Sequence, residues 1–350
     1  MKPGDAGPSG GDAAAGGGLD SPGGSAGPAG DDLGPGDIGP AGDDATASGG
    51  GPRRPGLLGF RIAASASAGL DWPRLDETWA MAGELGTFDA GWLSDHLSDA
   101  TRERGGPAFE ALTAAAALAH RVPGRWIGIA VLANTFRHPS LVAKAATVLD
   151  NVTGGRFILG MGAGWHEGEH EAFGIPLPPI VERFDRFESG VATVAALLSD
   201  DARTPPGNTR ADPFYPLRGA TNDPPPVRPG GPPIWLGGQR RRGIALAVRH
   251  GDGWPMPGNR PGDVAYFSEK RDEIRRALGA AGRDPDTFTF AAQLSCGTTP
   301  AERRAALADG LAFVRAGAGH VILGLPATAA PDGLAAVSRE VAEPLAEAAA

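Results

Sequence analysis

Cysteine is almost missing from this chain. Cys296 is the only one in 350 residues, which excludes an internal disulfide framework and leaves it to be read as a small buried hydrophobe. Long apolar runs are missing too. Nothing approaches the roughly 18 consecutive apolar residues that a membrane helix needs. There is no basic excess: Lys and Arg total 32 against 41 Asp and Glu, a net charge of −9. That composition excludes the cationic stripe of a nucleic-acid binder. Residues 1–51 lack aromatics and Glu altogether, while they hold 18 Gly, eight Asp and one Lys. Such a stretch has too little apolar surface to offset its ordering entropy, so residues 1–55 are expected to form a disordered tail. It also lacks the basic start and continuous apolar core of a secretory signal, and the expected location is cytoplasmic.

What is there begins at Gly56. From that point short apolar or β-branched runs alternate with Ala-rich amphipathic runs. Strands are expected at residues 57–64, 88–93, 126–133, 156–162, 233–237, 253–256, 287–292 and 320–323. Helices are expected after Pro73 and at 109–120, 139–151, 182–198, 239–250, 263–281, 300–316 and from about 331 onward. Eight strand–helix units in this length predict an α/β fold, a parallel (β/α)8 TIM barrel over residues 56–350. The active site of such a barrel lies at the C-terminal ends of the strands. One connection, 199–232, is long and rich in Pro, Gly, Asp and Asn. It is either a lid or a surface excursion before the fifth strand.

Five segments at the expected rim could carry chemistry. Strand 2 ends in Ser94-Asp95-His96, where a histidine can point into the cavity as a proton-transfer group; a capping Asp beside a surface His explains the pair equally well. Strand 4 runs into Gly160-Met161-Gly162-Ala163-Gly164-Trp165, where glycines let a flat or phosphorylated ligand come close. Next comes His166-Glu167-Gly168-Glu169-His170, an H-E-x-x-H match. As a zinc hydrolase site it would use His166 and His170 as ligands and Glu167 as base. Gly168 in its middle and the strand just before it favour a polar rim loop instead, with Glu169 or His170 facing substrate, and no metal site is assigned. Strand 5 ends at Gly237-Gly238-Gln239 with a helix expected at once, an anion site assisted by Arg240, Arg241 and Arg242. Asp252-Gly253-Trp254 offers an aromatic that either flanks a ring or packs in the core. Glu182 to Glu188 reads as a helix stabilised by ion pairs at i,i+3 and i,i+4.

These segments together resemble the luciferase-like monooxygenase superfamily, in its coenzyme F420-dependent oxidoreductase type. The resemblance rests on FDAGWLSDH (88–96), NTFRHPSLVAKAATVLDNVTGGRFILGMGAGWHEGEHEAFGI (134–175), ERFDRFESG (182–190), PPIWLGGQRRRGIALAVRHGDGW (232–254), AGRDPDTF (281–288) and GHVILGLP (319–326). It implies a flavin-like ring in the barrel mouth and a cis peptide at Ala130–Val131 behind it. Cofactor contacts would come from Asp95, Ala130, Val131, Ala133, Gly160, Gly162, Ala163 and Gly164, with the phosphate on Gly237, Gly238 and Gln239. His96 would face the reactive edge as the catalytic residue, and Trp165, His170 and Trp254 would line the substrate pocket. The implied function is hydride transfer through bound F420 to or from a small organic substrate. The alternative is an FMN-dependent monooxygenase acting on paired donors with incorporation of molecular oxygen, served by a separate cofactor reductase. Relatives of this kind are often homodimers. Sugar-phosphate dehydrogenases of the superfamily carry a Glu where this chain has Trp165 and a Trp where it has Ala100, so their substrate does not carry over.

Overall fold

The computed structural model describes residues 55–62, 70–98, 106–260 and 262–350. The expected tail lies, apart from Pro55, outside the described residues. Position 100, where the sugar-phosphate enzymes differ, lies outside them as well.

Eight parallel strands close on themselves. They are β1 (Leu58–Ile62), β2 (Ala90–Leu93), β3 (Trp126–Ala133), β4 (Phe157–Gly162), β7 (Ile234–Leu236), β8 (Gly253–Pro255), β9 (Thr289–Ser295) and β10 (His320–Leu325), in that order round the barrel. Closure is between β1 and β10, with Leu58 opposite Val321 and Leu325 opposite Ile62. The runs WIGIAVLA, FILGMG and HVILGL are apolar on both faces because a barrel strand is covered by side chains inside and helices outside. The outer layer comprises α1 (Trp72–Leu85), α2 (Ala111–Leu118), α3 (Pro139–Val152), α5 (Ile180–Leu198), α6 (Arg241–His250), α7 (Val264–Ala280), α8 (Pro300–Arg315) and the closing α9 (Asp332–Val337) and α10 (Glu343–Ala349). Helix starts follow local chemistry. Asp71 accepts from the Arg74 N–H at 3.1 Å, and Thr299 and Glu302 form a reciprocal capping box ahead of Pro300. A short helix α4 (Glu167–Ala172) was not expected; it occupies the segment read as a rim loop.

The long connection carries an antiparallel hairpin of β5 (Asn208–Arg210) and β6 (Leu217–Ala220). It is fastened to the outer helices. Asp212 accepts from Ser189 and pairs with Arg210 at 2.7 Å, and the Asn222 amide donates to Thr147 Oγ1 at 2.8 Å. None of residues 199–232 lines the central cavity, and the hairpin packs on the outer helices.

Indole rings fill the lower barrel. Trp92 and Trp235 lie with centroids 4.9 Å apart, packed with Trp126, Ile158 and Ile322. Their room comes from glycines: a Cβ on Gly128 would stand 2.3 Å from Trp92, and one on Gly253 2.5 Å from Trp235. His320 completes this layer. Its Nε2 accepts from the Trp92 indole N–H at 2.9 Å, and its Nδ1–H donates to the Gly56 carbonyl at 2.6 Å. Both nitrogens are satisfied by the neutral ring, and burial pushes the imidazole down to about 4. Above the unfolded value near 6.5 both states are neutral and nothing is lost. As pH falls below it, the unfolded chain takes up a proton that the native ring refuses. Denaturant titration should therefore show on the order of 3 kcal/mol of stability lost between pH 7 and 4. That slope should be absent from His320→Gln. An unchanged slope in the variant would assign the acid sensitivity elsewhere.

Candidate active site

A cavity of about 610 Å³ opens at the C-terminal ends of the strands. Three of the expected rim segments reach it, joined by the end of β3, while residues 166–170 and 252–254 do not. Asp95 and His96 come from the end of β2, Ala130, Val131 and Ala133 from β3, and Gly162, Ala163, Gly164 and Trp165 from β4. Gly237, Gly238 and Gln239 come from the end of β7. The Ala130–Val131 peptide bond is cis.

Three expected site residues stand outside the wall. Gly160 faces the neighbouring strand: its Cβ would meet the Ile129 carbonyl oxygen at 1.9 Å, where the β3–β4 register shifts. It is glycine because the β3 backbone passes too close for a side chain. His170 is buried, with Nδ1 on the His166 carbonyl and Nε2 on Thr135 Oγ1, both at 2.7 Å. Trp254 is fully buried and donates its indole N–H to the Gly238 carbonyl at 2.9 Å, so it braces the cavity wall from behind.

Asp95 lies on the wall, but its carboxylate is occupied. Arg137 binds both oxygens at 2.7 Å, and the Ala133 N–H donates at 2.8 Å. Asp95 thereby ties the end of β2 to the end of β3 and the start of α3. The cradle after β7 also differs in detail from expectation. The helix begins at Arg241, and Gly237 to Arg240 form a loop before it. Gly238 packs against Gly243 so closely that a Cβ would come within 2.8 Å of the Gly243 Cα. Gln239 is held by the Tyr266 hydroxyl at 2.7 Å. Arg242 turns away to Asp185 and Glu188, at 2.7 and 2.9 Å, so it adds no charge to the cradle. The expected pair within α5 forms between Glu182 and Arg186 at 2.7 Å.

The metal-like run has another role. The His166 ring accepts from the Glu169 N–H, and the Glu169 side chain, only 1% exposed, reaches His96. Its Oε2 meets His96 Nδ1 at 2.8 Å. Its Oε1 accepts from the N–H groups of Leu97 and Ser98 at 2.7 and 3.0 Å. Burial pushes this carboxyl up, but the bonds from His96, Ser98 and Leu97 outweigh it and hold the group below the usual carboxylate range. Glu169 is therefore an anion at neutral pH, and it keeps a proton on His96 Nδ1. The other ring nitrogen, Nε2, has no partner among the described residues, and His96 lines the cavity. No group of three or more His, Cys, Asp or Glu suited to a metal occurs among the described residues.

Sequence reasoning missed Glu169 as the partner of His96, and missed the far wall entirely. That wall includes Arg61, Pro255 to Asn259, and Gln293. Phe184 adds to the apolar lip beside Trp165, which is 64% exposed. Arg61 had a signal: it is a lone charge inside the apolar strand LGFRI.

The sequence pattern of the luciferase-like monooxygenase family matches residues 57–348. The chain belongs to that family. Among its relatives is the phthiodiolone/phenolphthiodiolone dimycocerosates ketoreductase of Mycobacterium tuberculosis, 34% identical over 222 residues, 58% of this chain and 56% of that one. The F420-dependent glucose-6-phosphate dehydrogenase of Beutenbergia cavernae is 35% identical over 199 residues, 55% of each. The chain thus spans little more than half the length of the curated relatives it matches. Two solved structures share the fold. An F420-dependent secondary alcohol dehydrogenase in complex with an F420–acetone adduct superposes with TM-score 0.66 at 17% identity, over 85% of this chain and all of that one. A riboflavin lyase with modified FMN and riboflavin gives 0.58 at 18%, over 74% and 70%. The luciferase-like barrel therefore has both F420 and FMN neighbours. No helix among the described residues is long and apolar enough to cross a membrane.

Proposed function

We propose that this barrel transfers hydride between bound coenzyme F420 and a small organic substrate, interconverting a carbonyl and an alcohol. The observation that carries the reading is the His96–Glu169 pair on the cavity wall, a histidine with one nitrogen fixed by a buried carboxylate and the other toward the cavity. The wall suits a flat ring with a phosphate. Gly162 leaves an open shelf beside Val131, where a Cβ would come to 2.8 Å, and Gly237 to Gln239 form a side-chain-poor cradle. Ala130, Val131 and Gly162 to Gly164 would hold the ring, and Gly237 to Gln239 the phosphate. The deazaflavin supplies a two-electron hydride at carbon.

The chain's own residues do the rest. His96 Nε2 gives to, or takes from, the substrate oxygen the proton that accompanies the hydride. Glu169 is a positioning residue: it fixes the tautomer and stabilises the ring when it becomes cationic. Asp95 and Arg137 lock the β2 and β3 ends that carry His96 and Ala133. Trp165 and Phe184 exclude water from the mouth. Two relatives named for ketone or alcohol chemistry support this reading. Trp165, standing where sugar-phosphate dehydrogenases have Glu, speaks against a sugar phosphate.

Titrating F420 and FMN separately into one preparation, and following cofactor fluorescence, tests the cofactor. The expected result is saturable F420 binding at least about tenfold tighter than FMN. The opposite order would replace this reading with the FMN-dependent monooxygenase fed by a separate reductase.

A further inference from the structure

Arg61 is the only cation on the cavity wall among the described residues. Its Nη1 donates to the Gln293 side-chain oxygen, and its Nε is buried with no hydrogen-bond partner. No carboxylate among the described residues lies within ion-pair distance of it. Other arginines of this fold do have one: Arg137 has Asp95, Arg121 has Asp76 and Arg303 has Glu340. The Gln293 amide N–H₂ is anchored on the Met256 carbonyl, which turns the amide oxygen toward the guanidinium. A neutral amide satisfies one of five N–H donors and none of the charge. A buried donor left without a partner is costly, and a buried cation without an anion more so. Gly258 lies beside the guanidinium without a side chain to cover it; a Cβ there would touch both Nη atoms at 3.9 Å. Burial pulls the guanidinium down to about 10, so it remains cationic at neutral pH.

We propose that Arg61 recognises a carboxylate on the substrate, making this an enzyme for small organic acids. β9, which carries Gln293, stands across the barrel from β3, and Arg61 on β1 reaches toward it by its bond to Gln293. A carboxylate on Arg61 places the rest of the molecule across the cavity, with its reactive carbon toward the wall that holds the ring. One guanidinium edge matches the two oxygens of a carboxylate. A phosphate dianion would call for further cations, and the described wall has none. The orientation toward the ring rests on the F420 reading above; the carboxylate site itself does not.

Calorimetric titration of the full chain with benzoate, benzamide and inorganic phosphate tests it, with and without F420. Benzoate and benzamide have nearly the same shape and differ in charge. Benzoate is expected to bind at least about tenfold more tightly than benzamide, a difference of about 1.4 kcal/mol. Arg61→Met should abolish that preference, keep its F420 affinity and melt no lower than the parent, because it removes an unpaired buried charge. Arg61→Lys keeps the charge without the fork, and should weaken benzoate by several-fold; it serves if the Met variant does not fold. Equal benzoate binding by parent and Arg61→Met overturns the proposal. So does parity of benzoate with benzamide, a preference for phosphate, or loss of F420 affinity with benzoate binding intact. If the parent binds no F420 yet prefers benzoate, the cofactor reading fails and the carboxylate site stands.

Discussion

Replacing His96 with Ala is expected to lower kcat about 10²- to 10⁴-fold, on any substrate that the parent turns over, while F420 still binds. The size follows from the role. Asp95 is neutralised by Arg137, and Glu169 keeps its carboxylate for His96, Leu97 and Ser98. On the proposed function, that leaves His96 Nε2 as the proton-transfer atom of the β2 rim. The fold should tolerate the change, because Glu169 retains both backbone N–H bonds. Added imidazole should restore part of the rate, since the space vacated opens on the cavity. A variant that binds F420 and turns over normally would remove His96 from the mechanism.

Glu169→Gln is expected to lower kcat by on the order of a hundredfold, with KM changed little. The amide oxygen can still accept from Leu97 and Ser98. Its N–H₂ then faces His96 Nδ1 and forces the ring proton onto Nε2. A ring in that form can donate a proton but not accept one, so alcohol oxidation should suffer more than carbonyl reduction. The pH profile separates this from loose packing. Bonding holds the Glu169 carboxyl below its unfolded value. Its stabilising share is complete above that unfolded value and is lost as pH falls through the folded one. Gln should erase this acid limb. Equal losses in both directions with an unchanged profile would make Glu169 a packing residue alone.

Much of the fold was legible because buried parallel strands are written as unbroken apolar runs. β3 is found at the bounds its sequence predicts, and α3 and α8 within a residue. The rim was legible where backbone chemistry is local, as at Gly237-Gly238-Gln239. It failed where a side chain's role depends on a distant partner. Glu169 sits 73 residues from His96, and nothing in HEGEH announces the histidine on another strand. Gly168 argues against a helix there, yet His166 caps one. Trp254 looked like a ring contact, but strand alternation alone does not reveal which aromatic is covered by Gly238. Gly160 belonged to the right motif for another reason, the close passage of β3.

The tryptophan layer has a consequence for traffic. Trp92, Trp235 and His320, packed across the lower barrel, floor the chamber above them, so it is reached from the C-terminal ends of the strands. On the proposed function, a ring against the β3–β4 wall would arrive before the substrate that covers it, and product would leave past the lip at Trp165. If the proposed function holds, binding would be ordered by the packing, and an occupant of the mouth would hold the cofactor in from above.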